Sequence, residues 1–186
     1  MNRKKLILMF LIAWSMQSVL YTQLTFLGAA ANYGTWIKEP GASIYAIYSV
    51  NEKIDIVPNA TYFLPHTFDV TDGTHEYTWW HINLDGHYVV FEPSGIQLFG
   101  LMGLCFTNET KRIDELIQGQ QPYRDKINAT KIGLNIGAGG QLHLAKYFNP
   151  FAEVKYSLGD RHQFVFTLGI LCRIASDRVP GESDEF

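Results

Sequence analysis

The segment His162–Ile174, HQFVFTLGILCRI, decides the fold. Phe164, Phe166, Leu168, Ile170, Cys172 and Ile174 fall at alternate positions, and Gln163, Val165, Thr167, Gly169, Leu171 and Arg173 fall between them. Alternate side chains of an extended chain point to opposite sides, so this is a strand with one wholly apolar face and one mixed, partly charged face. Lys131–Leu142 has the same design, with Ile132, Leu134, Ile136, Ala138 and Leu142 against Lys131, Gly133, Asn135, Gly137, Gly139 and Gln141. Trp79–Phe91 sets Trp80, Ile82, Leu84, Tyr88 and Val90 against His81, Asn83, Asp85 and His87. In Phe151–Tyr156 the charges of Glu153 and Lys155 interrupt Ala152, Val154 and Tyr156. Weaker period-two patterns over Leu24–Tyr33, Ala42–Val50, Ile54–Phe63 and Ile96–Phe106 bring the expected count to about eight strands.

The connections between these strands alternate in length. Asn51–Lys53, Glu92–Gly95 and His143–Asn149 are short, whereas Pro65–Thr78 and Asn108–Thr130 are long and polar, with Gly34–Pro40 and Leu158–Arg161 on their side. Short turns at one end and long loops at the other are the pattern of an up-and-down outer-membrane barrel with both termini in the periplasm. No segment after the N-terminal stretch is apolar and long enough for a transmembrane helix. Hydrocarbon offers the backbone no hydrogen-bond partner, so a membrane location requires a closed sheet.

Period two alone also fits a soluble lipocalin-like barrel, with apolar residues turned inward around a ligand. The mixed face separates the two. It carries Asp85, Lys131, Glu153, Lys155 and Arg173 together with Asn83, Asn135 and Gln141, interleaved with Gly133, Gly137, Gly139 and Gly169. Glycine weakens a strand, and a solvent face has no use for it; a narrow lumen must admit side chains from opposite walls. Asp85, Lys131, Glu153, Lys155 and Arg173 are therefore expected to form a polar network inside the lumen, with both signs of charge paired. Tyr33, Tyr48, Tyr62, Trp79, Trp80, Tyr88, Tyr156 and Phe164 lie near strand ends and suit interfacial girdles.

The run GLNIGAGGQLHLAKYFNPFAEVKYSLGDRHQFVFTLGI, residues 133–170, resembles the last three strands of the small outer-membrane β-barrel domain family, and WWHINLDGHYVVF, residues 79–91, is similar to its middle strand. The resemblance is strong in the C-terminal third and loose before Trp79. It implies an all-β, eight-stranded antiparallel transmembrane barrel inserted by the outer-membrane assembly machinery, in structural, adhesive or stress-related roles. One departure is the end of the chain: the closing strand stops near Ile174 and an acidic tail follows, so that Phe186 is a terminal aromatic with no strand behind it.

The domain plan has three parts. Residues 1–22 read as a signal peptide, with a positive start at Asn2–Lys5 and an apolar core over Leu6–Trp14 too short to span a bilayer; a cut there leaves Gln23 first. Residues 23–174 form the barrel, and residues 175–186, with Pro180, Gly181 and four acidic residues, form a disordered periplasmic tail. A net charge of -3 with scattered lysines and arginines gives no field for nucleic acid.

Candidate chemistry is sparse. His81 and His87 share strand parity but stand roughly 20 Å apart at about 3.3 Å per residue, too far for one ion. His66 and His75, with Asp69 or Asp72, fix no tetrahedral set, so no metal or other cofactor is expected. Ser157, Asp160 and His162 form the one trio that suits an enzyme acting on lipids or peptides at the outer rim, and a plain tight turn explains them equally well. Cys105 and Cys172 fall on the fifth and eighth strands, which are not neighbours, so no disulfide is expected. The N-x-T matches at Asn59, Asn108 and Asn128 are acceptor patterns only in a eukaryotic secreted protein, and Asn59 is mid-strand.

The expectation is a non-enzymatic, monomeric outer-membrane barrel surrounded by lipid, with a lumen closed by side chains and loops that make extracellular contacts. A lipocalin-like carrier of an apolar ligand stands second, and a lipid-modifying enzyme at the rim third.

Overall fold

The computed structural model describes residues 23–70, 73–93, 95–115, 123–144, 147–159 and 162–174. The expected signal peptide, the acidic tail and Asp160 of the rim trio lie outside the described residues. Eight strands follow one another: β1 (Gln23–Gly34), β2 (Pro40–Ser49), β3 (Ile54–Val70), β4 (Gly73–Phe91), β5 (Ile96–Glu115), β6 (Tyr123–Leu142), β7 (Phe148–Leu158) and β8 (Gln163–Arg173). Each pairs antiparallel with the next, and β8 returns to β1 from Phe26↔Arg173 to Gly34↔Val165, so the sheet closes into a barrel.

Tight turns hold one end of this cylinder. The Asn51 carboxamide oxygen accepts hydrogen bonds from the backbone N–H groups of Lys53 (2.9 Å) and Ile54 (3.0 Å), the usual way asparagine closes a turn. Gly95 takes φ +89°, a left-handed conformation that suits glycine, as Ile96 N–H returns to Pro93 O at 2.9 Å.

At the opposite end the structure corrects the expected loops. Most of Pro65–Thr78 and Asn108–Thr130 is strand: β3 and β4 pair as far as Val70↔Gly73, and β5 and β6 as far as Glu115↔Tyr123. On the flanks the ladder stops lower, with β2 pairing β3 no further than Gly41↔Phe63 and β6 meeting β7 only from Leu134↔Leu158. A four-stranded sheet thus projects beyond the closed barrel. From Cys105 to Glu115, β5 continues for ten residues, about 33 Å of strand. Pro65, which marks a strand's end in the sequence, is absorbed in a register shift between Phe63 and His66, an irregularity where proline costs no ladder bond.

The barrel wall is sorted inside out relative to a soluble domain. Ile44 (68% exposed), Ile82 (60%), Met102 (67%), Ile132 (67%) and Leu168 (68%) face outward, while Asn59, Asn83, Asp85, Asn135, Glu153 and Lys155 are buried. Two small apolar clusters cap the interior: Tyr45, Ile47, Val57, Phe151 and Leu171 near the tight turns, and Ile37, Phe63, Trp79 and Val165 near the projecting sheet.

Candidate functional site

Asp85 sits at the centre of the lumen. Its Oδ2 accepts from Lys155 Nζ at 3.2 Å and from Asn59 Nδ2 at 3.0 Å, and its Oδ1 accepts from Asn135 Nδ2 at 2.9 Å. Asn83 donates to Asn59 Oδ1 at 2.7 Å and itself accepts from Asn135 at 3.0 Å; Ser157 Oγ donates to Asn135 Oδ1 at 2.8 Å. Glu153 Oε1 lies 4.0 Å from Lys155 Nζ. Carboxylate, ammonium and amides from β3, β4, β6 and β7 thus lock opposite walls together, and all are almost fully screened from solvent. A second, smaller set links Asn32 to Ser43 and accepts Thr167 Oγ1 on Asn32 Oδ1 at 2.7 Å, tying β1, β2 and β8.

The room for the three charges comes from their neighbours in the ladder. Asp85 pairs with Gly103, Lys155 with Gly137 and Glu153 with Gly139. A Cβ at Gly137 would collide with Val154 O and come within 2.7 Å of Lys155 Cα, and one at Gly139 would lie 2.6 Å from Phe99 Cζ. Each long charged side chain therefore faces a cross-strand partner with no side chain, which lets it turn across the lumen.

Of the five residues expected in a lumen network, Asp85, Glu153 and Lys155 come together and Lys131 and Arg173 do not. Lys131 lies four positions from Asn135 on β6, about 13 Å toward the projecting sheet, where it lines the outer mouth. Arg173 is six positions from Thr167, about 20 Å toward the tight turns, with its guanidinium 5.4 Å from the Phe26 ring centroid. Parity puts all five on the inward face, and height along the barrel separates them. Asn59 and Ser157 are members that the sequence left unassigned, although Asn59 shares inward parity with Val57 and Thr61.

Small cavities lie on either side of this plug. The outer one, about 40 Å³, is lined by Trp36, Trp79, Cys105, Glu109, Lys131 and Gln163 among others. The inner one, about 10 Å³, is lined by Tyr45, Asp55, His87, Gln141 and Glu153 among others. A single water needs about 10–15 Å³ by this measure, so neither is a channel.

At the outer mouth the β1–β2 turn leans over the inner face of the projecting sheet. Trp36 meets Trp79 edge-on at 5.8 Å, Tyr77 stacks on Trp79 at 5.8 Å, and Phe68 meets Tyr77 at 5.9 Å, continuing to His66, which pairs with Glu39. Trp79, expected in an interfacial girdle, instead faces inward and is 4% exposed; Trp80, its neighbour on the outer side, is 49% exposed. On the sheet Asn108 donates to Thr130 at 3.0 Å, Thr110 to Asn128 at 2.8 Å, and Arg112 pairs with Glu76 at 3.2 Å.

Other candidates stay apart. Ser157 is buried and committed to Asn135, whereas exposed His162 stacks against Tyr156, so they form no dyad. Cys105 is buried and Cys172 exposed, on opposite sides of the wall. Among the described residues no three His, Cys, Asp or Glu side chains converge to hold a metal ion.

No protein-family model matches the chain, and no curated protein does. Solved structures do match. The chain covers 97% of the attachment invasion locus protein Ail of Yersinia pestis bound to the heparin analogue sucrose octasulfate, over 81% of its own length, at 18% identity and a TM-score of 0.55. It covers 96% of Neisserial surface protein A over 80% of its own length (13% identity, TM-score 0.56). It covers 99% of a major outer membrane protein from Thermus thermophilus, again over 80% of its own length (9% identity, TM-score 0.60). The fold is that of the small eight-stranded outer-membrane β-barrels.

Proposed function

We propose that the chain is an integral outer-membrane protein whose barrel spans the bilayer, whose lumen is closed, and whose projecting sheet presents a surface for extracellular contact. The observation that carries this is the sorting of the wall: outward positions such as Ile44, Ile82, Ile132 and Leu168 are exposed and apolar, while a hydrogen-bonded charge cluster fills the interior. A carrier of apolar ligands needs the reverse. In water this outer face would be an unbroken apolar patch far larger than a soluble monomer tolerates, whereas in hydrocarbon it is the solvated side.

Aromatic positions support the span. Tyr33, Trp80 and Phe164 are exposed near one rim, and Tyr48, Tyr88 and Phe148 near the other. The eight positions from Trp80 to Tyr88 cover about 26 Å of strand, or about 20 Å along the normal at a tilt near 40°, close to the apolar band of such barrels. Tight turns at the end bearing both Gln23 and Arg173 support a periplasmic location for that end, with the long hairpins outside. The polar, ladder-braced outer sheet suits a contact role, and the sugar-analogue complex of Ail gives a precedent for ligand binding in this fold. The plug between two cavities smaller than a solute supports a scaffold over a porin, and the commitment of buried Ser157 to Asn135 favours the scaffold over a rim-site lipid-modifying enzyme.

Two measurements test it. In membranes of expressing cells the unboiled protein should migrate differently from the boiled protein on a denaturing gel, and identical mobility would refute a closed membrane barrel. In a Cys105→Ser, Cys172→Ser background, Lys126→Cys should react with an impermeant maleimide on intact cells; reaction only after lysis would reverse the orientation.

A further inference from the structure

The inner cavity gathers buried polar atoms that have no partner. Among the described residues neither carboxylate oxygen of Glu153 finds a hydrogen-bond donor, and His87 Nε2 and the Tyr45 hydroxyl also lack a partner, although all three side chains are at least 96% buried. The Ser43 and Thr167 hydroxyls are near the Tyr45 oxygen without meeting hydrogen-bond geometry. All three orphaned groups line the same cavity, together with Asp55, Gln97 and Gln141. Three unsatisfied buried groups around one space point to an occupant, because each would otherwise carry an uncompensated desolvation cost.

Charge says which kind of occupant. Asp85 and Glu153 bring two carboxylates to one ammonium, that of Lys155, which lies nearer to Asp85 (3.2 Å) than to Glu153 (4.0 Å). Asp55, at the rim of the cavity, adds negative charge, and Arg173 is turned aside over Phe26. The cluster around Glu153 is short of one positive charge, and a buried carboxylate without compensation is unstable. The cavity, about 10 Å³, holds one sphere of water size, radius about 1.4 Å, which is also the size of a potassium ion. A carboxylate and a phenol oxygen are hard donors suited to a hard cation. The deficit is a single positive charge, which a monovalent ion fills and a divalent ion would overshoot.

We propose that the inner lumen cavity binds one monovalent alkali cation, held chiefly by the Glu153 carboxylate with the Tyr45 hydroxyl oxygen, and that this ion completes the charge balance of the plug. His87, stacked on Phe99 at 4.2 Å, walls the site on one side.

The test uses the whole barrel refolded in detergent micelles with EDTA, comparing thermal unfolding in potassium, sodium and choline chloride at equal ionic strength. The wild-type midpoint should rise saturably with potassium or sodium, by about 5–10 °C at a hundredfold excess over the dissociation constant, and not with choline. Glu153→Gln, which leaves the Asp85–Lys155 pair neutral, should abolish the difference between salts. Should that variant not fold, Tyr45→Phe, which removes one oxygen and no charge, should shift the saturation point to several-fold higher salt. Equal midpoints in all three salts would overturn the proposal, leaving the cavity to a water or Glu153 to a proton; so would a full alkali response in Glu153→Gln.

Discussion

Replacing Lys155 by methionine removes the ammonium that faces two buried carboxylates, and its cost can be worked from the contacts. The side chain is 2% exposed and touches Asp85 at 3.2 Å and Glu153 at 4.0 Å. Its loss strips Asp85 of its ion-pair partner and leaves the two acids of a closed lumen with no counter-charge from the protein, the circumstance in which breaking a buried pair costs about 3–5 kcal/mol. Asp85→Asn should be milder. Lys155 then keeps Glu153, and the damage is confined to the hydrogen bonds at one acceptor, where Asn59, Asn135 and Lys155 all donate and an amide offers a single oxygen, about 1–3 kcal/mol. The double variant Asp85→Asn, Lys155→Met should lose less than the sum by about 1–3 kcal/mol, since the two residues interact directly. Urea titration of the refolded protein in micelles, followed by tryptophan fluorescence and gel mobility, measures all three. With a slope of about 1–3 kcal/mol per molar urea the Lys155→Met midpoint should fall by more than about 1 M. A Lys155→Met protein within about 0.5 kcal/mol of wild type, or more stable than Asp85→Asn, would refute the view that the lumen charges are interdependent.

Three further outcomes follow from the same contacts. Leu84, half-exposed midway between the two aromatic rims, should tolerate arginine poorly if lipid surrounds it, losing about 2–4 kcal/mol in lipid vesicles, whereas in a soluble barrel the change would be neutral. Gly137→Val should block folding or cost more than about 3 kcal/mol in the same urea titration, because its side chain meets Val154 O and Lys155 backbone across the ladder, with no flexible neighbour to give way. Arg112→Ala should change stability by less than about 1 kcal/mol, since Arg112 and Glu76 are a solvent-exposed pair on the projecting sheet, and a larger loss would mean that the sheet is coupled to the barrel.

How much of this could be read from the chain depends on what surrounds each strand. Within the apolar band one side of the wall is the apolar exterior and the other the polar lumen, so the alternation in Gln163–Arg173 or Trp79–Phe91 is clean and the strands are evident. Past that band neither face of β5 and β6 is apolar. Thr107–Glu115 and Tyr123–Thr130 then carry polar residues at every parity, and extended strands look like loops. They are held by cross-strand pairs such as Asn108 with Thr130, which appear only when the register is known. Height is hidden for the same reason: Lys131 and Arg173 share the inward parity of Lys155 yet sit at opposite mouths. The glycines were legible as a sign of a crowded interior, but the pairing of Gly103, Gly137 and Gly139 with one charge each depends on register.

A small barrel turned inside out has given its large apolar side chains to the outer wall, so the interior must be held by something else. With eight strands the lumen admits side chains and little more. A purely apolar filling would not fix strand register, because one methyl-lined wall slides past another at little cost. The arrangement here is directional: the Asp85 carboxylate accepts from β3, β6 and β7 at once, and each donor reaches it only in the observed register. Slipping β7 by one position would turn Lys155 onto the apolar outer wall and Val154 into the lumen. The plug therefore specifies the barrel as well as closing it. It also explains why β3 to β6 can run on into a tall polar sheet: with register fixed by the plug, the long hairpins need only continue a ladder already aligned, and their surface residues are left free of that task.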